Sequence, residues 1–418
     1  MHHFHYQNGE LYCEGVAVQA VAARVGTPFY LYSAATLSHH FRVFDAAFHG
    51  FPHIVCFAVK ANANLAILRL LAAHGSGADI VSGGELHRAL AAGMDPAKIV
   101  YSGVGKRPEE IKAALRAGIL MFNIESSQEL EEINRIAGRV RKKAGVALRI
   151  NPDIDPRTHP YISTGLKKNK FGIDIERAVE DYSRARELRH LEVIGAACHI
   201  GSQITEVSPF VEALARLKDL ISRLKGLGIT IRFLDLGGGL GICYDREEPP
   251  HPIEYGAKIL EGLKSLDCTL ILEPGRVLVG NAGILVTKVL YTKESEAKHF
   301  IIVDAGMNDL ARPSLYGSYH AIQPVVEGAR ARVKASLVGP ICESGDFLAR
   351  DREMPAFGPG ELVAVMSAGA YGFSMSSNYN ARARAPEILV HGNDFYVIRK
   401  RETYRQLTWG ESIPDFLK

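Results

Sequence analysis

Residues 56–68 read Cys56-Phe-Ala-Val-Lys-Ala-Asn-Ala-Asn-Leu-Ala-Ile-Leu68, "CFAVKANANLAIL". An apolar run meets a single cation, Lys60, then a short polar turn, then a second apolar run at helical spacing. A strand that feeds a helix through a turn is the repeating unit of α/β proteins, so the fold depends on how often it recurs.

It recurs eight times. The strand-like runs are Ile54 to Val59, Ala78 to Val81, Ile99 to Tyr101, Met121 to Ile124, Val146 to Ile150, Ala196 to His199, Phe233 to Leu236 and Thr269 to Glu273. Between them lie stretches such as "LAILRLLAAHG", "PEEIKAALRAG" and "SPFVEALARLKDLISRLKGLG", apolar every three or four residues and often ended by glycine. The same alternation builds a doubly wound open sheet, but a count of eight predicts a TIM-like (β/α)8 barrel. The connection over 152–175 is long, and long loops in compact domains tend to be functional, so it is expected beside the active site.

After about residue 280 the helical period gives way to short runs rich in Val, Ile and Tyr, among them "GILVTKVLY", "HFIIVDAG" and "EILVHGNDFYVIRKRE". The first ~30 residues, with "GELYCEGVAV", add a strand or hairpin to that β-rich part. The expected division is therefore residues 1–30 with 280–418 as an all-β domain, and 31–279 as the barrel.

Composition narrows the partners. The chain has 418 residues, 47% hydrophobic and 23% charged, with Lys+Arg 49 against Asp+Glu 46 and both signs interspersed. A net charge of +3 with no basic stripe argues against nucleic acid or an anionic membrane and for a small molecule. No apolar run approaches a membrane span and no secretory layout opens the chain, so a cytoplasmic location is expected. Six cysteines, at 13, 56, 198, 243, 268 and 342, are scattered without a C-x-x-C pair, so neither disulfides nor zinc are indicated. The histidines at 2, 3 and 5 have no accompanying ligand cluster, and no metal is expected.

In such a barrel the reacting groups stand at the C-terminal strand ends. Reading the strands in turn yields Lys60 at the end of strand one, Asp79 at the start of strand two, Arg149 in strand five, then "CHIGSQ" with His199 and Ser202, "LGGG" with Gly237, Gly238 and Gly239, and "EPGR" with Glu273, Gly275 and Arg276. A lysine at a strand terminus usually snorkels to water. At a barrel mouth, desolvation disfavours its charge and frees the neutral amine, as an imine-forming lysine requires. A glycine run is usually a tight turn, but after strand seven it opens backbone N–H groups to a phosphate, with Ser202 and Arg276 adding donors. His199 alone suits a core histidine as well as a ring-stacking one, and Glu273 a surface pair as well as a partner for a protonated ring nitrogen. Together the four functions describe a pyridoxal-phosphate site. Gly103 and Gly105 in "SGVGKRPEE" lack the spacing of a nucleotide loop and are read as a turn.

The ordered motifs "AVKAN", "CHIGSQ", "LGGG", "EPGR", "GPICESGD" and "GAYG" resemble the fold-type III pyridoxal-phosphate decarboxylases over nearly the whole chain. The segments "HPYISTGLKKNKFGI", "MNDLARPSLY" and "SSNYNARAR" sharpen the resemblance to the branch directed at diaminopimelate. Ala63 departs from it, since many relatives carry serine there. The resemblance implies pyridoxal 5'-phosphate anchored on Lys60, with Glu273 at the ring nitrogen where racemases of this fold type place arginine. It implies a homodimer with shared active sites, in which Cys342 of the neighbouring subunit reprotonates the carbanion that decarboxylation leaves. Arg276, Arg312 and Tyr316 are the expected ligands of the substrate's distal carboxylate, Glu343 of its distal ammonium, and Tyr371 of both cofactor and substrate. The implied reaction is decarboxylation of meso-2,6-diaminopimelate to L-lysine. The alternatives are a relative acting on another amino acid or polyamine precursor, and a non-catalytic regulatory protein of the same fold. A distal carboxylate to be bound by "ARPSLY" weighs against the first, and the presence of Lys60 and Cys342 against the second.

Overall fold

Eight strands, each apolar enough to be buried on both faces, pair in parallel and close on themselves. They are His53–Ala58, Gly77–Ile80, Ile99–Tyr101, Met121–Ile124, Ala144–Asn151, Leu191–Ala197, Phe233–Asp235 and Thr269–Leu272, and the last pairs with the first. This computed structural model describes every residue except 1, 157, 159–164, 166–169 and 297. By its internal contacts the chain divides into two units, Leu37–Val279 and Met1–Thr36 with Gly280–Lys418.

The barrel's helices begin and end where their sequences dictate. Ser82 and Ser126 accept from the backbone N–H of Glu85 and Glu129 at the starts of Gly83–Ala91 and Ser127–Arg139, satisfying otherwise orphaned donors. Gly118 closes Pro108–Ala117 in the left-handed conformation, at φ 76°. Inside the barrel, Cys56, Val100, Met121, Ala147, Ile194, Ala197 and Ile271 form one apolar cluster. Above this plug the buried side chains become polar: Asp79, Asn123, Arg149, Asp235 and Glu273 are all at most 7% exposed. Burying such groups is costly unless they pair, so they mark where the barrel serves chemistry rather than packing.

Some element boundaries differ from the sequence reading. Strand one stops at Ala58, and Lys60 lies in a single 3-10 turn, Val59–Ala61, so the cation stands just beyond the strand. Strand six starts at Leu191, and His199 lies two residues past its end. Asp79 sits inside strand two rather than at its start. A further short strand, Ile173–Asp174, pairs in parallel with Ala144–Asn151 and anchors the far end of the long connection. Most of the motif expected there falls outside the described residues.

The second unit is built from sheets whose pairings are mostly antiparallel. Phe29–Ser33 is a central strand, antiparallel to Gly283–Glu294 and parallel to Glu387–His391. Its sequence, "FYLYS", is wholly buried, as a strand flanked on both sides requires. Phe4–Gln7, Glu10–Cys13 and Val16–Ala17 form a separate three-stranded meander. Among the described residues no helix is long and apolar enough to cross a membrane.

Candidate active site

A cavity of about 410 Å³ opens at the C-terminal ends of the barrel strands, lined among others by Lys60, Ser102, Asn123, Arg149, His199 and Glu273. Lys60 Nζ lies 2.6 Å from Asp79 Oδ2. The amine that the sequence places at the barrel mouth is thus held by a buried carboxylate of the neighbouring strand. The other carboxylate oxygen, Asp79 Oδ1, is buried without a hydrogen-bond partner.

His199 accepts a hydrogen bond at Nδ1 from the backbone N–H of Gly238, at 3.2 Å, which assigns the ring proton to Nε2. Burial, followed by the positive charges of Arg149 and Lys60, holds its pKa well below the ordinary imidazole value, so the ring is neutral. Gly237 donates its N–H to Asp235 Oδ1 at 2.8 Å. Two of the three N–H groups read as an anion cradle are therefore engaged, leaving Gly239 as the third. The glycines are also sterically required. A Cβ on Gly238 would lie 2.1 Å from the Glu273 carbonyl oxygen, and Gly239 adopts φ +119° with a would-be Cβ 2.6 Å from the Gly201 carbonyl. Beside them Arg276, at the turn that begins with Gly275, donates from Nη2 to Ser202 Oγ at 3.0 Å and from Nη1 to the Tyr244 hydroxyl at 2.8 Å.

Glu273 belongs to a buried network. Asn123 Nδ2 lies 2.9 Å from Asp235 Oδ2, 3.0 Å from Ser102 Oγ and 3.4 Å from Glu273 Oε1, and Ser102 Oγ donates to the same Glu273 oxygen at 3.3 Å. Burial, and then the adjacent Asp235 carboxylate, push the Glu273 carboxyl well above its usual range; burial raises Asp235 to about 6. Two buried carboxyls in hydrogen-bond contact favour sharing a proton over double ionisation. Arg149 is fixed from two sides: Nη1 donates to Glu125 Oε1 at 2.7 Å, and the guanidinium stacks 4.8 Å from the Phe171 ring centroid. Its Nη2 is buried without a partner. Asp235, Asn123, Ser102, Glu125 and Tyr244 were not singled out from the sequence, although a polar residue inside an apolar strand, as in "FLDL" and "MFNI", is a usable signal.

The remaining expected residues lie in the β-rich unit. Arg312 is buried at the start of the short helix Arg312–Tyr316, with Nη1 2.9 Å from His320 Nε2 and Nη2 3.3 Å from Ser318 Oγ. His320 Nδ1 lies 2.8 Å from the Met366 carbonyl, which places its proton there and leaves Nε2 to accept from Arg312. Cys342 and Glu343 are exposed on the loop 340–346. Ser314 Oγ, from the helix that carries Arg312 and Tyr316, donates to the Gly345 carbonyl at 2.5 Å and ties it to that loop. Tyr371 adopts φ 56°, an uncommon conformation for a residue with a bulky side chain.

Comparison with known proteins adds to this geometry. Residues 34–280 match the family model described as "Pyridoxal-dependent decarboxylase, pyridoxal binding domain". The chain is 55% identical to the diaminopimelate decarboxylase of Pseudomonas aeruginosa over 410 residues, covering 98% of this chain and 99% of the relative. A crystal structure of diaminopimelate decarboxylase from M. jannaschii in co-complex with L-lysine is 40% identical, covers 99% of each chain and superposes with a TM-score of 0.95. An SrLDC mutant in complex with PLP is similar at 25% identity, with 93% of this chain and 96% of that one covered and a TM-score of 0.83.

Proposed function

The chain belongs to the pyridoxal-dependent decarboxylases and, within them, to the diaminopimelate decarboxylases, and from that premise we infer that it removes one carboxylate of meso-2,6-diaminopimelate as carbon dioxide, leaving L-lysine. This is the last step of lysine biosynthesis by the diaminopimelate route. The observation that carries the reading is the gathering of Lys60, Arg149, His199 and Glu273 around one cavity at the barrel mouth.

The residues present fit pyridoxal 5'-phosphate. Lys60 offers an amine at its Nζ, held by Asp79. The buried Asp79 Oδ1 and Arg149 Nη2 each lack a polar partner that a ligand would supply. Gly238 and Gly239 pack against the carbonyl oxygens of Glu273 and Gly201 too closely to carry a side chain, which keeps this turn tight. Lys60 would anchor the cofactor covalently; Gly239, Ser202, Gly275 and Arg276 would face its phosphate, and Gly237 and Gly238 would hold the cradle in shape through Asp235 and His199. When bound, the cofactor supplies an electron sink for the pair left behind by the departing carboxylate.

The chain's own groups control that chemistry. The neutral His199 ring offers an apolar face that excludes water from one side. Glu273 would accept from the ring N–H, and Asn123 and Ser102 hold its carboxylate in place. Arg312 is oriented by His320 and Ser318 before any substrate arrives, which suits it to a distal carboxylate, with Arg276 and Tyr316 as companions. Glu343 would take the distal ammonium and Tyr371 would border both ligands. Cys342 of a second copy would deliver a proton from Sγ to the α-carbon, so the functional unit is a homodimer. A pocket built for two distal charges rejects analogues that leave one of its polar groups unpaired.

Carbon dioxide release from meso-diaminopimelate, lysine, ornithine and arginine, each with added cofactor, tests the reading. Release from meso-diaminopimelate alone is the expected result. Equal or faster release from ornithine overturns the substrate assignment.

A further inference from the structure

The segment "SSNYNARAR" supports the family resemblance, yet none of its residues has a part in the chemistry above. One of them touches the Cys342 loop. Asn380 Oδ1 accepts a hydrogen bond from the backbone N–H of Cys342 at 2.7 Å. Asn380 itself is in the left-handed region, at φ 55° and ψ 29°, and Ala381 follows at φ 53°. Ser367 and Tyr371 have positive φ as well, so four non-glycine residues within 367–381 hold this conformation. Such positions are disfavoured for residues that carry a Cβ and persist where the surroundings hold them.

The surroundings of Asn380 do this. Ser377 donates its N–H to the Asn308 carbonyl at 2.8 Å, and Asn378 Nδ2 reaches the Arg382 carbonyl at 2.9 Å and Glu402 Oε2 at 2.7 Å. Arg382 Nη2 in turn donates to the Asp304 carbonyl at 3.0 Å. The segment is thus pinned at both ends, with Asn380 between. The Cys342 loop is held differently. Asp346 closes its base by accepting from Ile341 N–H at 2.7 Å and from Met307 N–H at 2.6 Å. Cys342 is exposed, so burial does not fix its backbone, and the hydrogen bond to Asn380 joins this part of the loop to the pinned segment.

We propose that Asn380 is a positioning residue that sets the backbone of Cys342, and so the direction of its thiol, by accepting the Cys342 N–H from a rigid left-handed turn. The proposal rests on the reading of Cys342 as the proton donor. Asparagine suits the position on both counts, because it tolerates positive φ and carries an acceptor.

Two variants separate these properties. Asn380→Gly keeps the backbone conformation and removes the acceptor, whereas Asn380→Asp keeps the acceptor. In the holoenzyme, Asn380→Gly is expected to speed hydrogen–deuterium exchange of the peptide 339–347 and to lower kcat by about tenfold, at an unchanged thermal midpoint. Asn380→Asp is expected to restore both toward the parent. Unchanged exchange in Asn380→Gly overturns the proposal, and so does faster exchange with kcat unchanged. Cys342→Ala is measured alongside. If it keeps parental kcat, the donor reading has failed, and exchange in the Asn380 variants still shows separately whether the clamp on the loop exists.

Discussion

Asp79 Oδ2 stands 2.6 Å from Lys60 Nζ, with the carboxylate wholly buried and the lysine side chain 35% exposed. The pair joins the end of one barrel strand to the middle of the next, so it orients the amine before any ligand arrives. Asp79→Asn leaves the ammonium facing a neutral amide. The expected loss is about 1–2 kcal/mol in urea unfolding, below the roughly 3–5 kcal/mol of a fully buried pair because water screens the lysine. Lys60→Ala removes the proposed anchor, and its purified protein, saturated with cofactor, is expected to lack the visible absorbance of lysine-bound pyridoxal phosphate. Retention of that band in Lys60→Ala refutes the anchor assignment.

The Asp235–Glu273 pair predicts a pH signature in the cofactor-free protein. Burial raises Asp235 to about 6, and burial together with Asp235 pushes Glu273 higher still. A carboxyl with a raised pKa binds its proton more tightly folded than unfolded. Its contribution to stability is therefore fully present below the ordinary carboxylate range near pH ~4 and is lost as pH rises through about 6, and further for Glu273. Surface carboxylates that are paired in the fold act in the opposite sense, so the useful quantity is a difference. Parental stability minus that of Asp235→Asn, taken from denaturant unfolding at each pH, is expected to decline between pH ~4 and ~7. A flat or rising difference contradicts the shared proton.

Two glycines at the barrel mouth separate steric need from mere presence. A Cβ on Gly238 meets the backbone oxygen of Glu273 at 2.1 Å, while one on Gly105 meets nothing within 4 Å. Gly238→Ala must push strand seven's end away from strand eight, at a cost of about 1–3 kcal/mol or more, and it shifts His199 and Glu273 together. Cofactor affinity, followed by fluorescence quenching, is expected to fall sharply in Gly238→Ala. Gly105→Ala is expected to stay within about 0.5 kcal/mol of the parent in stability.

The barrel was legible because its strands are local runs separated by amphipathic helices, and a count of them needs no knowledge of partners. Lys60, His199, Glu273 and the glycines were legible for a related reason: in a closed barrel, position along the chain determines position at the rim. What escaped was pairing. Phe29–Ser33 lies between two strands more than 240 residues away in sequence, and no periodicity announces such a neighbour. The same holds for the sites: that Gly238 spends its N–H on His199, and that Asp235 shares a network with Glu273, are facts of three-dimensional contact. Asp235 and Asn123 nevertheless left a trace, as polar residues in strands otherwise too apolar to hold them. The start of strand six was misread because "LEVIG" mixes a charge into its first turn of alternation, which hid five residues of strand.

The proposed sharing of active sites makes a quantitative prediction for mixed subunits. If Lys60 of one copy works with Cys342 of another, neither Lys60→Ala nor Cys342→Ala is active alone, but a hybrid dimer combines the intact Lys60 of one with the intact Cys342 of the other. Random exchange makes about half the dimers hybrid, each with one competent site of two, so activity is expected to recover to about a quarter of the parental value per dimer. Recovery should follow subunit exchange in time, which differently tagged chains can report through co-purification. Exchange demonstrated without recovery would mean that each site draws both residues from one chain, and the proposed homodimeric site would have to be abandoned.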